Sequence, residues 1–432
     1  FAYWAGADAP SGDERTQTGI SLACDRVLDI KAVFAPILYV DGKTGSDQND
    51  GISWASPLSS VAAALAGAGS IGTVKVKPGE YVNPSVEAIE VPGEVKLVAE
   101  GAREEVVLRA SVDGGRVLKI TGEDALVSGF TVAGGVTDEN GGGIYMQGGV
   151  VSNCLVVSCS AAQGGGIYSH AEDALVTGCV ISNCTASSGS GGGITLSPHK
   201  SLVVENSTIS DCSASGQGGG VSSVNSDVAR LTLKRCVVTR NVGSGLGGGV
   251  NLDAGSLVYN CLFSFNTNRK NSAIFMRNAK VFNSTIVRNA IGNMAYSGLW
   301  AHTGAKVYNT IVSGTVYSPD STVATNLLTD SSTVLKGCLI NDQTIPEKGD
   351  IDASTLFSDP KLQRDFTLKT SSPAVNAGIN EIDGVSYTAA DVDLKGNPRI
   401  YKFSDPKKGI VDIGCYELQR DFLVPGLSLS IR

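Results

Sequence analysis

The stretch "GGGIY" at residues 141–145 returns unchanged at residues 164–168, and this repetition is the main indication of the fold. Three variants continue the series at steps of 27 to 29 residues: "GGGIT" from Gly191, "GGGVS" from Gly218 and "GGGVN" from Gly247. A β-branched residue follows each glycine triplet. Repetition at an interval of this size is typical of a solenoid, in which each repeat forms one coil.

A second repeated line lies between the glycine triplets and continues beyond them. Its copies are "VSNCLVVSC" from Val151, "VTGCVISNC" from Val176, "VENSTISDC" from Val204, "LKRCVVTRN" from Leu233, "VYNCLFSFN" from Val258, "VFNSTIVRN" from Val281 and "VYNTIVSGT" from Val307. The sixth position of each copy is apolar and is predicted to stack inside the solenoid. These residues are Val156, Ile181, Ile209, Val238, Phe263, Ile286 and Val312. The ninth position is cysteine at 159, 184 and 212, then asparagine at 241, 266 and 289.

The residue types separate a β-solenoid from a leucine-rich repeat. Each unit is rich in Val, Ile, Thr, Ser and Gly, which favour strands and bends over helices. Parallel crossovers are almost always right-handed, so the pattern predicts an all-β, single-stranded, right-handed parallel β-helix. The glycines are expected at sharp bends where coils stack closely, with the next Ile or Val returning to the core. The asparagines at the ninth position predict a hydrogen-bonded ladder between coils.

Strand patterns extend the predicted coils over residues 73–340, and residues 37–72 are expected to form a strand, a turn and a capping helix. The helix lies in "SPLSSVAAALAGAGSIG", with Ser56 or Ser59 as its cap. The stretch "LYVDGKTGSDQNDGISWASPLSSVAAAL" from Leu38 resembles the N-terminal segment of secreted pectate-lyase-like (pectin-lyase-like) β-helix proteins. The "GGG[IV]" repeat resembles that of polymorphic outer-membrane proteins.

The two ends of the chain carry further resemblances. In residues 341–432, "LFSDPKLQRDFTLKTSSPAVNAGIN", "DVDLKGNPRI" and "VDIGCYELQ" resemble the choice-of-anchor Q domain of bacterial surface β-helix proteins. That resemblance implies a secreted or cell-surface location. Within this region Arg399 is expected to pair with a nearby carboxylate. Residues 1–36 resemble the tail of a divergent internalin-type B-repeat, or form an N-terminal extension.

Composition excludes several classes of function. The net charge of −8 and pI near 5.1 disfavour a nucleic-acid partner, which requires a basic face. No run of about 18 apolar residues is present, so no membrane span is predicted. The chain is expected to be a monomer.

No metal or other cofactor is predicted. The spacing of Cys154, Cys159, Cys179 and Cys184 follows from the repeat, so buried free thiols are expected in place of a zinc site. Stacked cysteines about 4.8 Å apart have parallel side chains, which suits a disulfide poorly. The turn "DQND" at 47–50 leaves Ca²⁺ as a weaker alternative, because no acidic residue completes a calcium loop.

One outward-facing column suggests a binding surface. Successive coils place Ser152, Thr177, Glu205, Lys234, Tyr259, Phe282 and Tyr308 in it. The three aromatic residues at its end, which we call the aromatic stripe, are the predicted glycan contact, with Arg240 and Arg288 beside them and Arg277 as a further candidate. The alternatives are that a loop covers the stripe or that its rings simply stack on the exterior.

The sequence therefore favours a secreted or cell-surface module that is adhesin-like, contacts a polysaccharide or cell-surface glycan, or is purely structural. The alternative is a polysaccharide lyase or glycoside hydrolase acting on acidic polysaccharide. A lyase needs clustered carboxylates and a basic residue, and a hydrolase needs paired acids about 5 to 10 Å apart. No such pattern is evident in residues 140–320, so no catalytic residue is assigned.

Overall fold

The computed structural model describes most of the 432-residue chain. The described residues are 3–5, 9, 29–111, 114–223, 230–268, 272–291, 298–314, 327–329, 332–341, 350–351, 359–388, 390–400 and 409–418. Most of the segment that resembles a B-repeat lies outside these ranges. Within it, Tyr3–Ala5 pairs antiparallel with Lys31–Val33.

Three long parallel sheets, here numbered 1 to 3, form the walls of a β-helix. Sheet 1 comprises Ile37–Val40, Thr73–Val76, Lys96–Ala99, Leu126–Ser128, Val150–Ser152, Leu175–Thr177, Ser201–Glu205, Arg230–Lys234, Leu257–Tyr259, Lys280–Phe282, Lys306–Tyr308, Val334–Lys336 and Asp350–Ile351. Sheet 2 comprises Gly79–Val82, Val106–Arg109, Thr131–Ala133, Leu155–Val157, Val180–Ser182, Thr208–Ser210, Val237–Thr239, Leu262–Ser264, Thr285–Val287, Ile311–Ser313 and Leu339–Ile340. Sheet 3 comprises Ile89–Val91, Leu118–Ile120, Ile144–Met146, Ile167–Ser169, Ile194–Leu196, Val221–Ser223, Val250–Leu252, Ile274–Arg277, Leu299–His302 and Leu327–Thr329.

A fourth, shorter sheet lies between sheets 2 and 3. It comprises Ser160–Ala161, Thr185–Ala186, Ser213–Ala214, Val242–Gly243, Thr267–Asn268 and Ala290–Ile291. Each central coil therefore runs through sheets 1, 2, 4 and 3 before the chain enters the next coil.

The predicted inward column is confirmed along sheet 2. Val156 pairs with Ile181, and the same register continues coil by coil as far as Val312. Every side chain in this column is at most 1% exposed. Because alternate residues of a strand face opposite sides, the neighbours of these residues point to the outside of the coil.

The ninth-position residues lie inside the same core. Cys159, Cys184 and Cys212 are buried and unbridged. In the later coils the predicted ladder is present: Asn241 donates through Nδ2 to Oδ1 of Asn266, which in turn donates to Oδ1 of Asn289, at 3.0 and 3.1 Å. Burial of these polar side chains is tolerated because they are hydrogen-bonded.

A helix closes the N-terminal end of the core. It spans Val61–Ala68 and buries Val61, Ala64, Leu65 and Ala68 against the first coils. Its cap is Ser60, whose hydroxyl accepts from the backbone N–H of Ala63, so the prediction of Ser56 or Ser59 was wrong. Asp47 of the "DQND" turn accepts from the N–H groups of Ser59 and Ser60, which supports a turn leading into the helix.

The described residues 359–388, 390–400 and 409–418, here called the C-terminal segment, pack on the outside of the last coils. Turn asparagines of the coils hold part of it: Asn309 exchanges two 2.9 Å hydrogen bonds with Ile379, and Asn260 donates to the carbonyl of Val392. A short antiparallel hairpin, Glu381–Ile382 with Val385–Ser386, lies on sheet 1.

Arg399 is fully buried inside this segment. Its guanidinium donates to the carbonyls of Gly414 and Asp412 at 2.9 and 2.8 Å, and its Nε lies 3.6 Å from a carboxylate oxygen of Glu417. The predicted carboxylate partner is thus present, but the two carbonyls hold the side chain more closely. Burial raises the pKa of Glu417 to about 9 in spite of the nearby guanidinium, so we regard Arg399 as anchored chiefly by the backbone.

Candidate functional site

The aromatic stripe exists, but it is not open to a ligand. Tyr259, Phe282 and Tyr308 are register partners on the outer face of sheet 1, with ring centroids 4.9 and 5.1 Å apart. Phe282 is 1% exposed and Tyr308 is 3% exposed, because the hairpin residues Ile382 and Val385 pack on them. The prediction of a glycan-binding stripe is corrected for Phe282 and Tyr308, because a segment of the same chain covers them, while Tyr259 is half-buried.

The predicted arginines do not flank the stripe. Arg240 and Arg288 each follow a strand of sheet 2, while the stripe lies on sheet 1. Arg240 donates twice to the carboxylate of Asp211 at 2.7 Å, and Arg288 lies over the ring of Phe366. Arg277, on sheet 3, pairs with the buried Asp253 at 2.9 Å. These side chains therefore do not form one basic surface.

A different outward column lies on sheet 3. Its members are consecutive register partners: Glu90, Lys119, Tyr145, Tyr168, Thr195, Ser222, Asn251, Phe275 and Trp300. From Thr195 to Asn251 the column is buried. Glu90 is exposed and both Lys119 and Tyr145 are half-buried, so the column is open to solvent at its N-terminal end.

Charged side chains are fixed at this open end. The ammonium of Lys119 lies 3.4 Å from the carboxylate of Glu90, which also accepts from the Thr121 hydroxyl at 3.0 Å. Both partners lie on adjacent strands, so the coil spacing holds the opposite charges side by side.

Arg116 is held still more firmly. Its guanidinium donates to the backbone carbonyls of Asn140 and Gly141 and to the carboxylate of Glu139, at 2.6, 2.9 and 3.1 Å. It also lies 4.9 Å from the centroid of the Tyr145 ring, in a cation–π contact. On the next coil, Tyr168 stacks with the Tyr145 ring, with the ring centroids 5.6 Å apart and an interplanar angle of 12°.

These side chains line a groove of about 620 Å³ on sheet 3, here called the sheet 3 groove. Its lining is Glu87, Ala88, Glu90, Arg116, Lys119, Glu139, Asn140, Tyr145 and Gln147. Burial, with Tyr168 as a neighbour, raises the pKa of the Tyr145 phenol, so its hydroxyl remains a hydrogen-bond donor at neutral pH. The groove thus presents donors and acceptors in fixed positions, chiefly from charged and amide side chains.

The sequence contained a signal for this groove that our predictions did not use. Ile144 and Ile167 were expected to return to the core after the glycines, so the tyrosine after each one must point outward. The "GGGIY" repeat therefore encodes the Tyr145–Tyr168 pair itself. Arg116 could not be placed in the same way, because it lies outside the repeated lines.

Within the described ranges, no cluster of three or more His, Cys, Asp or Glu side chains is arranged to hold a metal ion. The same residues include no helix with the length and apolar character needed to cross a membrane.

Comparison with known proteins bears on the fold. Residues 117–263 match the family described as the right handed beta helix region. With its three parallel sheets, the chain is a right-handed parallel β-helix. In sequence, none of the curated proteins matches it.

Several solved structures overlap the chain at low identity. Pectate lyase Pel9A is 16% identical with a TM-score of 0.48, over 88% of this chain and 96% of that one. The A-module of the mannuronan C-5 epimerase AlgE6 from Azotobacter vinelandii is 15% identical with a TM-score of 0.42, over 69% and 93%. The GH136 lacto-N-biosidase from Eubacterium ramulus is 11% identical with a TM-score of 0.34, over 70% and 68%. No activity is transferred from these likenesses.

Proposed function

We propose that the protein is a glycan-contacting module that binds an extended carbohydrate chain in the sheet 3 groove without catalysing a reaction. The observation that carries the proposal is the open end of the sheet 3 column. There Lys119 and Tyr145 stand on adjacent coils, beside an arginine whose position is set by two backbone carbonyls.

The groove suits a ligand rich in hydroxyl groups. Sugar hydroxyls both donate and accept hydrogen bonds, and the groove offers ammonium, guanidinium, phenol, amide and carboxylate groups. Adjacent coils are about 4.8 Å apart, which approximates the length of one sugar residue. A chain lying along the helix axis would therefore meet one new side chain of the column for each sugar.

Hydrogen bonding, and not stacking on an aromatic ring, would dominate recognition. Arg116 lies over the Tyr145 ring and Tyr168 stacks beside it, so the phenol contributes its hydroxyl and its edge. This differs from the aromatic contact expected from the sequence.

The charges of the groove favour a neutral glycan. The lining contains three carboxylates, Glu87, Glu90 and Glu139, against the cations Arg116 and Lys119. The expectation of an acidic glycan rested on Arg240 and Arg288, and these are engaged with other side chains. We therefore expect binding that changes little with salt.

Binding without lyase chemistry is favoured because the two basic side chains of the groove are both engaged in ion pairs. A lyase requires a base that can accept a proton from the sugar. Lys119 and Arg116 are instead engaged in ion pairs with Glu90 and Glu139.

A location outside the cell, secreted or attached to the surface, is part of the same proposal. Its support is the resemblance of the C-terminus to surface β-helix proteins. Protease treatment of intact cells that removes the protein from the surface, or its recovery from the medium, would agree with this location. Recovery only from the cell interior would contradict it.

The binding test uses neutral hexasaccharides of glucose, xylose and mannose beside hexagalacturonate, measured by titration calorimetry. Replacement Lys119→Met, or Tyr145→Phe, which keeps the ring stack, is expected to weaken binding of a neutral hexasaccharide about three- to tenfold. The control Arg240→Met removes a cation outside the groove and should leave binding unchanged.

Two results would reject the proposal. One is the same affinity in the wild type and both groove variants, with intact thermal transitions. The other is the growth of unsaturated-uronate absorbance on incubation with hexagalacturonate, which would identify a lyase.

A further inference from the structure

Sheet 1 carries a second groove, with a row of aliphatic side chains along its outer face. The row consists of Leu126, Val150, Leu175 and Val203, which are register partners on four adjacent coils. All four side chains are half-buried, while the inward neighbours Val127, Val151 and Val176 are fully covered. A continuous row of four aliphatic side chains is unusual at strand positions that face solvent.

Carboxylates line one side of this aliphatic row. The stretch "EDALV" occurs at 123–127 and again at 172–176, two coils apart, so that Glu123 and Asp124 lie in line with Glu172 and Asp173. The coil between them turns at Gly148 and Gly149, which have no side chains to fill the space. The result is a groove of about 680 Å³ that we call the sheet 1 groove.

The sheet 1 groove is negatively charged. Its lining includes five carboxylates, Glu205 being the fifth, and no Lys or Arg. Lys200 pairs with Glu172, and Arg235 pairs with Glu205. Among the residues that the structure describes, no cation pairs with Glu123, Asp124 or Asp173.

The other end of the same face already binds a polypeptide segment. The row that contains Leu175 continues through Leu257 to Lys280 and Lys306. There the hairpin places Ile382 on the outward rings, and Asp383 pairs with the two lysines at 2.7 and 3.3 Å. In its own chain, this face therefore binds an aliphatic side chain that is followed by a residue of opposite charge to the face.

We propose that the sheet 1 groove binds an extended segment of a partner polypeptide that carries aliphatic side chains and regularly spaced Lys or Arg. The covered end presents lysines and aromatic rings to a hairpin that carries Ile382 and Asp383. The open end presents an aliphatic row beside carboxylates, so the complementary segment is aliphatic and basic. Adjacent coils lie about 4.8 Å apart, so the two carboxylate pairs are about 10 Å apart. That is about the length of three residues in the polyproline II conformation, in which every third side chain returns to the same face. Basic residues at every third position would then meet both pairs, with valine or leucine on the aliphatic row between them.

Charge selects this occupant over a second copy of the chain. With a net charge of −8, two copies would bring acidic surfaces together. The site differs from the sheet 3 groove in sheet, charge and apolar content, although Gln147 lines both grooves.

The test uses the acetylated peptide Lys-Val-Val-Lys-Val-Val-Lys-Val-Val with a fluorescent label, and the same peptide with Glu in place of Lys. Fluorescence anisotropy should detect binding of the lysine peptide only, and the affinity should fall as salt is added. The variant Glu123→Gln/Asp124→Asn/Asp173→Asn removes three carboxylates without a cationic partner, so folding should be retained. We expect it to weaken binding about tenfold.

The matched control Glu94→Gln/Asp138→Asn/Glu381→Gln makes the same change in charge at exposed positions outside the groove and should bind as the wild type does. Leu175→Ser should also weaken binding, and Lys119→Met should not. Equal binding of the two peptides, or an unchanged affinity in the triple groove variant, would overturn the proposal. So would a wild-type dimer in sedimentation that Leu175→Lys dissociates, because a second copy would then be the occupant.

Discussion

In the triplet Gly164–Gly166, each glycine meets a different neighbour. Gly164 has φ of +59°, a conformation that residues with a Cβ adopt at a cost. A Cβ on Gly165 would lie 2.3 Å from the carbonyl oxygen of Thr185 in the next coil. A Cβ on Gly166 would lie 2.6 Å from the carbonyl oxygen of Gly193 in the next coil and 2.8 Å from Cγ2 of Ile181, inside the core. The triplet is therefore one backbone turn followed by two positions where the next coil leaves no room for a Cβ.

The third glycine supplies a test of this account. Gly166→Ala should lower the free energy of unfolding by about 1 to 3 kcal/mol, because the added methyl must displace a well-packed side chain or the next coil. Chemical denaturation measures the change. Gly79→Ala is the control, since its Cβ would meet only the Tyr81 ring at 3.4 Å or more. Equal stabilities of the two variants would contradict the close packing at Gly166.

The asparagine column shows how one residue type joins coils without a metal or a disulfide. Oδ1 of Asn266 accepts from both the backbone N–H and the Nδ2 of Asn241, while its own Nδ2 donates to the carbonyl of Val238. Burial makes each of these bonds costly to remove. Cysteine occupies the same position in the earlier coils, where the Sγ atoms lie near backbone carbonyls.

At the scale of elements, the turn before the capping helix is held by one buried carboxylate, Asp41. Its oxygens accept from the Thr44 hydroxyl at 2.8 Å and from the Lys77 ammonium at 3.1 Å. Burial acts to raise the pKa of Asp41, but these hydrogen bonds and those from backbone N–H groups outweigh it. The resulting pKa is about 2.

Because the pKa of Asp41 is lower in the folded state than in the unfolded chain, the carboxylate stabilises the fold above about pH 4. That contribution is lost as the pH falls from about 4 towards 2. Asp41→Asn should therefore lower the free energy of unfolding by about 1 to 2 kcal/mol at pH 7 and by much less at pH 2. Thermal denaturation across this pH range measures it, with Glu94→Gln as the control. A penalty that does not vary with pH would show that the charge is unimportant.

The hairpin at the other end is an element whose contacts lie far away in sequence. Ile382 covers Phe282 and Tyr308, which belong to coils that lie much earlier in the sequence. Burial raises the pKa of Tyr308 to about 12, in keeping with a phenol shielded from water. The outer face of sheet 1 is therefore divided into a covered end and an open end, and the open end contains the sheet 1 groove.

At the scale of the whole molecule, one continuous apolar core runs from Leu38 to Ile340. Among the described residues, eight buried and unbridged cysteines lie along it, and a ninth, Cys415, is buried in the C-terminal segment. In a solenoid each coil contacts its neighbours, so a side chain in the core becomes accessible when the stack opens around it.

Thiol reactivity should therefore report on opening of the β-helix. In a Cys24→Ser variant, which removes the cysteine outside the described residues, a thiol reagent should react in native buffer no faster than the protein unfolds. Burial also raises the pKa of Cys338 and Cys415 to about 12, which disfavours the reactive thiolate. Rapid labelling of several cysteines before any change in circular dichroism would contradict the buried arrangement.

The sequence by itself determined the coil register, the core and the position of the glycine turns. These depend on local rules: side chains alternate along a strand, and equivalent residues of a repeat stack. Val156 and Ile181 could be paired for that reason. The helix cap was missed by one residue, since Ser59 and Ser60 carry the same hydroxyl and only the backbone path decides which one reaches Ala63.

Which outward surfaces are available depends on contacts between parts of the chain that are far apart in sequence. The repeat places Tyr259, Phe282 and Tyr308 outward, yet the hairpin near Ile382 returns to cover them, and no local pattern encodes a contact of that separation. Likewise, Arg116 approaches Tyr145 through carbonyls of a neighbouring coil. The repeat therefore specifies which face of each strand a side chain occupies, while packing of non-repeated segments determines whether that face meets solvent, a ligand or the chain itself.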